Sequence, residues 1–597
     1  MKVLDDKLSP LEEKAENGFL RQGDETSSPS IPLMAQEEKK EKFSDIQSCS
    51  QAFEVILDRI GRDGRWQWQL FFITSFCGMF TAFHNLAAVF LAATPEHWCH
   101  IKELDQLNST IDYRNISIPW KEDPDGGVYG SYSTCEYYDR EWDVLVSSGV
   151  LDSLPLPDLP TNVTTKACKK WNFDHSLYQS TVVEEWILLC RHKYFMSLVQ
   201  STFMAGVLTG AVVSGVLADK FGRRTIALWS AVGFLISSVG VGFTHHYIGF
   251  IILRFLVAAF GSGLFLPCFV LLMEVVGPEA RTVMGMMYQA FFSVGFMLLP
   301  LVAYFIRDWR VLQISISIPN ILLLAYYWIL PESPRWLMMQ GRYEEAIKVL
   351  RKVAEVNKKS LPTKEEMDIL ITKMKQDTNE KKGEANFLKR VINVFKSVVT
   401  LLSTANMRRR CLIIFFAWFV VSMIYYGLTF SGGNINASIY LMVFFSGVVE
   451  IPSYLLVCFT LKKFGRRLNL CVLFLICGAA CLLILAVPKE LVWMNIVLAT
   501  IGKFFNSSAF AVAYIYSAEL VPTGVRNIAV GTSSMCARIG SGIAPFIVDL
   551  MGDLHYTLPS TVFGLLSVGA GLLALLLPET SKIRMPETVA EIEAMPR

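Results

Sequence analysis

Twelve apolar runs, each close to the length of about 20 residues that a bilayer-spanning helix needs, recur between residues 69 and 577. They occupy residues 69–94, 194–217, 225–243, 247–270, 282–304, 311–330, 410–430, 438–460, 468–486, 491–516, 526–548 and 558–577. A chain built this way has one economical solution, an all-α polytopic membrane protein of twelve transmembrane helices. Charged residues make up 18% of the chain, against about 25% in a typical soluble domain. The net charge of +2 says little about partners; the distribution of charge says more.

Lys and Arg cluster at "DKFGRR" (219–224), at "KKFGRR" (462–467) and through 331–409. With twelve spans these fall on one face, which the excess of positive charge assigns to the cytosol together with both termini. Residues 1–50 are polar, without a leader-like apolar region, and read as a disordered cytosolic tail. The expected organisation is this tail, a first six-helix half over 51–330, a cytosolic loop with short amphipathic helices over 331–409, a second six-helix half over 410–577 and a cytosolic tail over 578–597. Segment 95–193 lies on the opposite face. It holds the sequons at Asn108, Asn115 and Asn162 and the cysteines Cys99, Cys135, Cys168 and Cys190. In an oxidising compartment four cysteines imply two disulfides, with three possible connectivities that sequence does not separate.

The halves repeat. "DKFGRR" at 219 returns as "KKFGRR" at 462, "MEVVGPEAR" at 273 as "AELVPTGVR" at 518, and "LPES" at 330 as "LPET" at 577, at offsets of 243, 245 and 247. Duplicated six-span halves rock about a site at their midplane interface. Gly215, Asp219, Gly222, Arg223 and Arg224 read as a tight turn, with Asp219 placed to face a helix N-terminus. Glu274 with Arg281, and Glu519 with Arg526, stand at cytosolic span ends where they can pair between halves and part as a gate opens, or serve as static anchors. Arg466 and Arg467 repeat the turn arginines, but Lys462 stands where the first half has Asp219.

Few ionisable residues lie well inside the spans: His84, Glu450, Lys503 and Arg538, with Arg254 nearer one end of span 4. Arg538, within "SSMCARIGSGIAPF", bears a cost at bilayer depth of about 3 to more than 10 kcal/mol, so it marks a site or a fixed ion pair with Glu450 or Asp549. Its neighbouring glycines and serines suggest close packing against other helices. Glu450 precedes Pro452, which interrupts helix hydrogen bonding and makes a polar notch. Trp418 and Tyr425, seven apart, share a helix face and offer rings to an ammonium group.

"GVLADKFGRR" resembles the loop motif of the major facilitator superfamily. "TPEHWC" (94–99), "RDWRVLQISISIP" (307–319), "LPESPRWLMMQGRYEEA" (330–346) and "AELVPTGVRN" (518–527) resemble solute carrier family 22, the organic cation, anion and zwitterion transporters, over residues 50 to 590. The resemblance implies the major facilitator fold and a plasma-membrane carrier working by alternating access. It implies cavity roles for the span 7 aromatics, Phe265, Gln289 and Phe292, and makes Glu450 a ligand-facing acid. Cation members look acidic at the position of Arg538, whereas anion and carnitine-type members carry arginine there. Anion members tend to place a second base where this chain has Tyr454, so the chain looks closest to the carnitine and zwitterion branch. Lys503 would add positive potential.

The leading expectation is transport of small cations or zwitterions such as carnitine, betaine, β-alanine or carcinine-like amines. The competing readings are a broad organic cation uniporter, an organic anion exchanger and a transporter-like receptor. No metal-spaced His/Cys cluster, nucleophile elbow or Walker glycine run points to an enzyme or an ATP-driven pump. No cofactor is implied, sodium coupling is left open, and the expected partners are a small organic ion and the bilayer, without nucleic acid, for a chain acting as a monomer.

Overall fold

The computed structural model describes residues 49–104, 112–121, 131–148, 151, 163–381, 399, 401–430, 438–488, 491–522, 525–552, 555, 557–580 and 589–594. The sequons Asn108 and Asn162 lie outside them, as do most of the two expected tails. Among the described residues eleven helices are long and apolar enough to cross a membrane, and the shorter Leu558–Ala574 makes the twelfth. The first half holds α1 (Arg65–Leu86), α2 (Tyr194–Phe221), α3 (Arg223–Gly242), α4 (Tyr247–Val275), α5 (Pro278–Phe305) and α6 (Trp309–Ser317). The second holds α7 (Ala405–Phe430), α8 (Ile439–Phe464), α9 (Arg467–Leu483), α10 (Val492–Glu519), α11 (Arg526–Phe546) and α12 (Leu558–Ala574). Between them lie the helices Pro334–Met339, Tyr343–Asn357 and Lys364–Lys381.

Two of the spans that depart from plain α-helix do so beside a proline. Pro319 lacks the amide that would continue α6, and the chain tightens into a 3₁₀ segment over Ile318–Ala325. After Pro545, α11 widens into a π-helical turn over Ile547–Met551. Pro452 is carried inside an unbroken α8, and the Ser453 hydroxyl donates to the Glu450 carbonyl at 2.7 Å.

Small residues set the closest crossings. A Cβ on Gly210 would lie 2.3 Å from the Ala259 carbonyl oxygen, pinning α2 to α4, and one on Gly540 would lie 2.3 Å from the Phe419 carbonyl oxygen, pinning α11 to α7. Gly542 has nothing within 4 Å of a Cβ, so the close packing expected beside Arg538 fails there, and Gly215, expected in a tight turn, lies inside α2 with nothing within 4 Å of a Cβ.

The halves meet through α5 with α8 and α2 with α11. Ser197 of α2 donates to Asp549 at 2.6 Å, and Ser201 donates to the Gly542 carbonyl at 2.5 Å. Phe90 stacks on Tyr440 at 5.5 Å. These contacts seal the halves at the face bearing the disulfides.

On that face the 95–193 segment forms three two-stranded antiparallel pairs: His97–Cys99 with Trp171–Phe173, Trp120–Lys121 with Ser131–Tyr132, and Glu136–Tyr138 with Thr165–Ala167. They enclose a small core that includes Ile101, Ile116, Tyr138 and Trp142. The structure selects one connectivity, Cys99–Cys168 and Cys135–Cys190. Asn115 is exposed. The segment is moored to the first half. Trp186 packs on Tyr247, Phe250 and Trp309, Glu185 pairs with Arg310, and Ser180 donates to Asp308 at 2.6 Å. Asp308 also caps α6 by accepting the Val311 amide at 2.9 Å, which explains the polar "RDWR" between two spans.

Candidate functional site

At mid-membrane the second half brings Glu450 of α8, Tyr425 of α7 and Lys503 of α10 together. Glu450 and Lys503 are each 1% exposed, with 3.9 Å between Nζ and Oε1. Such a pair needs further polar partners to offset the water it gives up, and it has them. Tyr425 Oη donates to Glu450 Oε1 at 2.5 Å. Ser293 of α5 donates to Oε2 at 2.5 Å. Lys503 donates to the Tyr425 carbonyl at 2.9 Å and to Thr429 Oγ1 at 2.8 Å, and its ammonium lies 3.1 Å from the Tyr425 ring centre. Glu450 is therefore held from both halves, by Ser293 across the interface and by Tyr425 and Lys503 within its own half.

Aromatic rings lead to this carboxylate. Phe265 of α4 and Phe292 of α5 stand 6.3 Å apart, Phe292 and Phe296 5.3 Å, and Phe296 and Tyr425 6.1 Å. Gln289, on α5, is half-buried. Tyr454 lies one turn beyond Glu450 on α8, within electrostatic range of its carboxylate. Trp418 takes a different place: it packs against Phe510 and Tyr514 of α10 at 5.3 and 5.8 Å, two turns from Tyr425.

Arg538 departs from the expected arrangement. The cation paired with Glu450 is Lys503, and Arg538 stands beside the phenol of Tyr426, which also neighbours Asn85 of α1. The side chain of Arg538 is partly accessible, whereas Arg254 is wholly buried. Arg254 donates to the His84 carbonyl at 3.0 Å and lies 4.5 Å over the Phe203 ring. His84 in turn meets Asn320 at 3.2 Å. These two residues knit the first half rather than the central site.

The repeated loop motifs also assemble differently from expectation. Arg223 bonds Glu274 at 3.0 Å and Asp219 at 3.0 Å, and Arg466 bonds Glu519 at 3.0 Å. These pairs stay within their own halves. Arg281 turns back to the Met273 and Val276 carbonyls rather than to Glu274, and Arg526 stands at the start of α11. The anion at the α3 N-terminus is not Asp219, which is largely exposed, but Glu332. Glu332 accepts the Arg223 and Arg224 amides at 3.0 and 3.2 Å, and Arg224 also donates to the Tyr327 carbonyl at 2.6 Å. Glu579 repeats the arrangement on the Arg466 and Arg467 amides at 2.9 and 3.0 Å. The helix dipole and unpaired amides favour a carboxylate at both places. Gly222, at φ +102°, leaves the space: a Cβ there would lie 2.3 Å from Glu332 Oε2. The "LPES/LPET" repeat signalled these residues, but a cap reaching back more than a hundred positions is not visible in a linear motif.

The family model described as sugar (and other) transporter matches residues 125–591. In fold, the chain is similar to the inward open conformation of the xylose transporter XylE from E. coli, with TM-score 0.56 at 16% identity, over 88% of this chain and 99% of that one. It is 38% identical to the organic cation transporter protein of Drosophila melanogaster, over 91% of this chain and 94% of the relative. With solute carrier family 22 member 3 of Mus musculus it shares 33% identity, over 91% and 96%. The chain belongs to solute carrier family 22. It is also 33% identical to the human organic cation/carnitine transporter 2, over 90% of this chain and 94% of that one. As a family 22 member with the major facilitator fold, it is a multi-pass membrane transporter of organic ions and not an enzyme. The Glu450 cluster and the aromatic run toward it lie between the halves of this transporter.

Proposed function

We propose that the protein is a plasma-membrane secondary transporter of small organic cations or zwitterions, such as carnitine, betaine, β-alanine or carcinine-like amines, working by alternating access with both termini in the cytosol. The observation that carries this reading is Glu450, held between the halves by Ser293 and Tyr425 at the end of an aromatic run. A substrate ammonium entering over Phe292, Phe296 and Tyr425 gains cation–π attraction in a dry site and competes with Lys503 for the carboxylate. Displacing Ser293 from Glu450 loosens a bond between the halves, so occupancy and rocking are linked. Arg538, not committed to Glu450, is the group for a substrate carboxylate, which its planar fork suits. Removing that carboxylate from the ligand leaves the second reading, a broad organic cation uniporter, which the likeness to organic cation transporters favours.

The test is uptake by the purified chain in liposomes, over a panel of quaternary amines, zwitterions and organic anions, with and without sodium. Amines and zwitterions accumulate, Glu450→Gln lowers both at least about tenfold, and Arg538→Ala lowers only the carboxylated substrates. Equal loss of both classes in Arg538→Ala would make that residue structural. Binding without accumulation would identify a receptor instead.

A further inference from the structure

The starts of α7 and α9 and the chain just after α12 enclose a cavity of about 300 Å³ on the face that carries segment 331–409. It is remote from the central site: Arg410 and Tyr425 are fifteen residues apart on one helix, about 22 Å. Three arginines line it, Arg409 and Arg410 from α7 and Arg467 from α9, and Asn406, Leu575, Leu576, Leu577 and Pro578 complete the wall. Arg410 is buried and Arg467 exposed, so the charges run from the floor of the cavity to its mouth. Arg409 donates to the Leu576 carbonyl at 2.6 Å, which fixes it in the wall. Two carboxylates stand beside these residues, and both accept backbone amides. Glu579 takes those of Arg466 and Arg467, and Glu593, from the helix Val589–Ala594, takes that of Asn406 at 2.9 Å.

Glu593 also lies within electrostatic range of Arg410, so three arginines face two carboxylates, and the arginine fork suits the oxygens of a phosphate. The surroundings decide which phosphate. On the same three helices Leu412, Leu468 and Leu572 are exposed, as is Leu576 just after α12, so apolar side chains flank the cavity on the side that faces acyl chains. A soluble anion has no use for that flank. The positive-inside reading places the cavity at the leaflet that carries anionic lipid, where basic pockets between transmembrane helices receive phosphorylated headgroups. We propose that this cavity seats the phosphate-bearing headgroup of an anionic phospholipid, with its acyl chains along α7, α9 and α12. The lipid would tie the ends of these three helices together within the second half.

The experiment uses the full chain in nanodiscs of phosphatidylcholine, alone or doped with phosphatidylserine or a phosphatidylinositol bisphosphate, with retained lipid counted by native mass spectrometry. Wild type keeps the anionic lipid and not the phosphatidylcholine. Arg409→Gln lowers retention about fivefold, and Arg408→Gln, which removes the same charge beside the cavity but not in it, leaves retention unchanged. Arg467→Gln, an exposed side chain, gives the same loss as Arg409→Gln should the latter fail to fold. Equal loss in Arg408→Gln and Arg409→Gln would reduce the effect to diffuse attraction and overturn the site. Full displacement of the lipid by inorganic phosphate would overturn the lipid assignment in favour of a soluble anion.

Discussion

Glu450 and Lys503 are each 1% exposed and lean on one another, so removing either leaves a charge in a dry interior without its counterpart. Lys503→Met is expected to cost about 3–5 kcal/mol of stability, and the double variant Glu450→Gln with Lys503→Met to recover most of it. Thermal unfolding in detergent tests this; a double variant no more stable than the singles would mean that the two charges act independently. Ser293→Ala should spare the pair but weaken its bond across the halves, raising the rate of exchange or lowering substrate affinity in the liposome assay, while Lys503→Met alters both. These residues were unequally legible. Glu450, Lys503 and Tyr425 stand out in a linear sequence because a charge or phenol inside an apolar run is costly. Ser293 and Thr429 do not, because a hydroxyl in a helix satisfies itself on the preceding turn and bears little cost anywhere. That Lys503 and not Arg538 meets Glu450 depends on the rotation of α10 and α11 against α8, which no single span encodes.

The closest helix crossings depend on individual glycines, and composition alone did not rank them. "ARIGSGIAPF" has two glycines, of which Gly540 lies against the Phe419 carbonyl and Gly542 faces open space. Gly540→Val is expected to lower stability by about 1–3 kcal/mol, while Gly542→Ala leaves the unfolding temperature unchanged; fluorescence-detected size exclusion after heating separates the two. Equal behaviour would mean that α11 shifts freely against α7. Span positions were readable to within several residues, since hydropathy reports what lies in lipid. The 3₁₀ stretch after Ser317 and the π turn after Phe546 were not, although a proline announced each, because the local relief a helix adopts depends on what packs against it. Glu332 and Glu579 were hidden for a related reason: each closes a helix end far away in sequence.

For the whole molecule, duplication was legible from three matched offsets, and it predicted two bodies that rock. In this structure the halves are sealed at the disulfide-bearing face through Ser197 and Asp549. Cysteines introduced at both positions should crosslink under mild oxidation and stop uptake, with recovery on reduction and no effect of the same treatment on the parent protein. Complete crosslinking with undiminished uptake would show that the halves do not separate there. The disulfide connectivity was beyond sequence, because three pairings were chemically equal until the strand pairs fixed which cysteines approach.

The same face carries a mechanical consequence. The 95–193 segment is moored to the first half through Glu185, Trp186 and Ser180, so under the proposed alternating access it would travel as a passenger on one of the two rotors. Asn115, exposed on its surface, is then a pointer whose swing reads out the angle between the halves. A binder spanning from this passenger to the opposite rotor would act as a brake, halting turnover without ever touching the substrate.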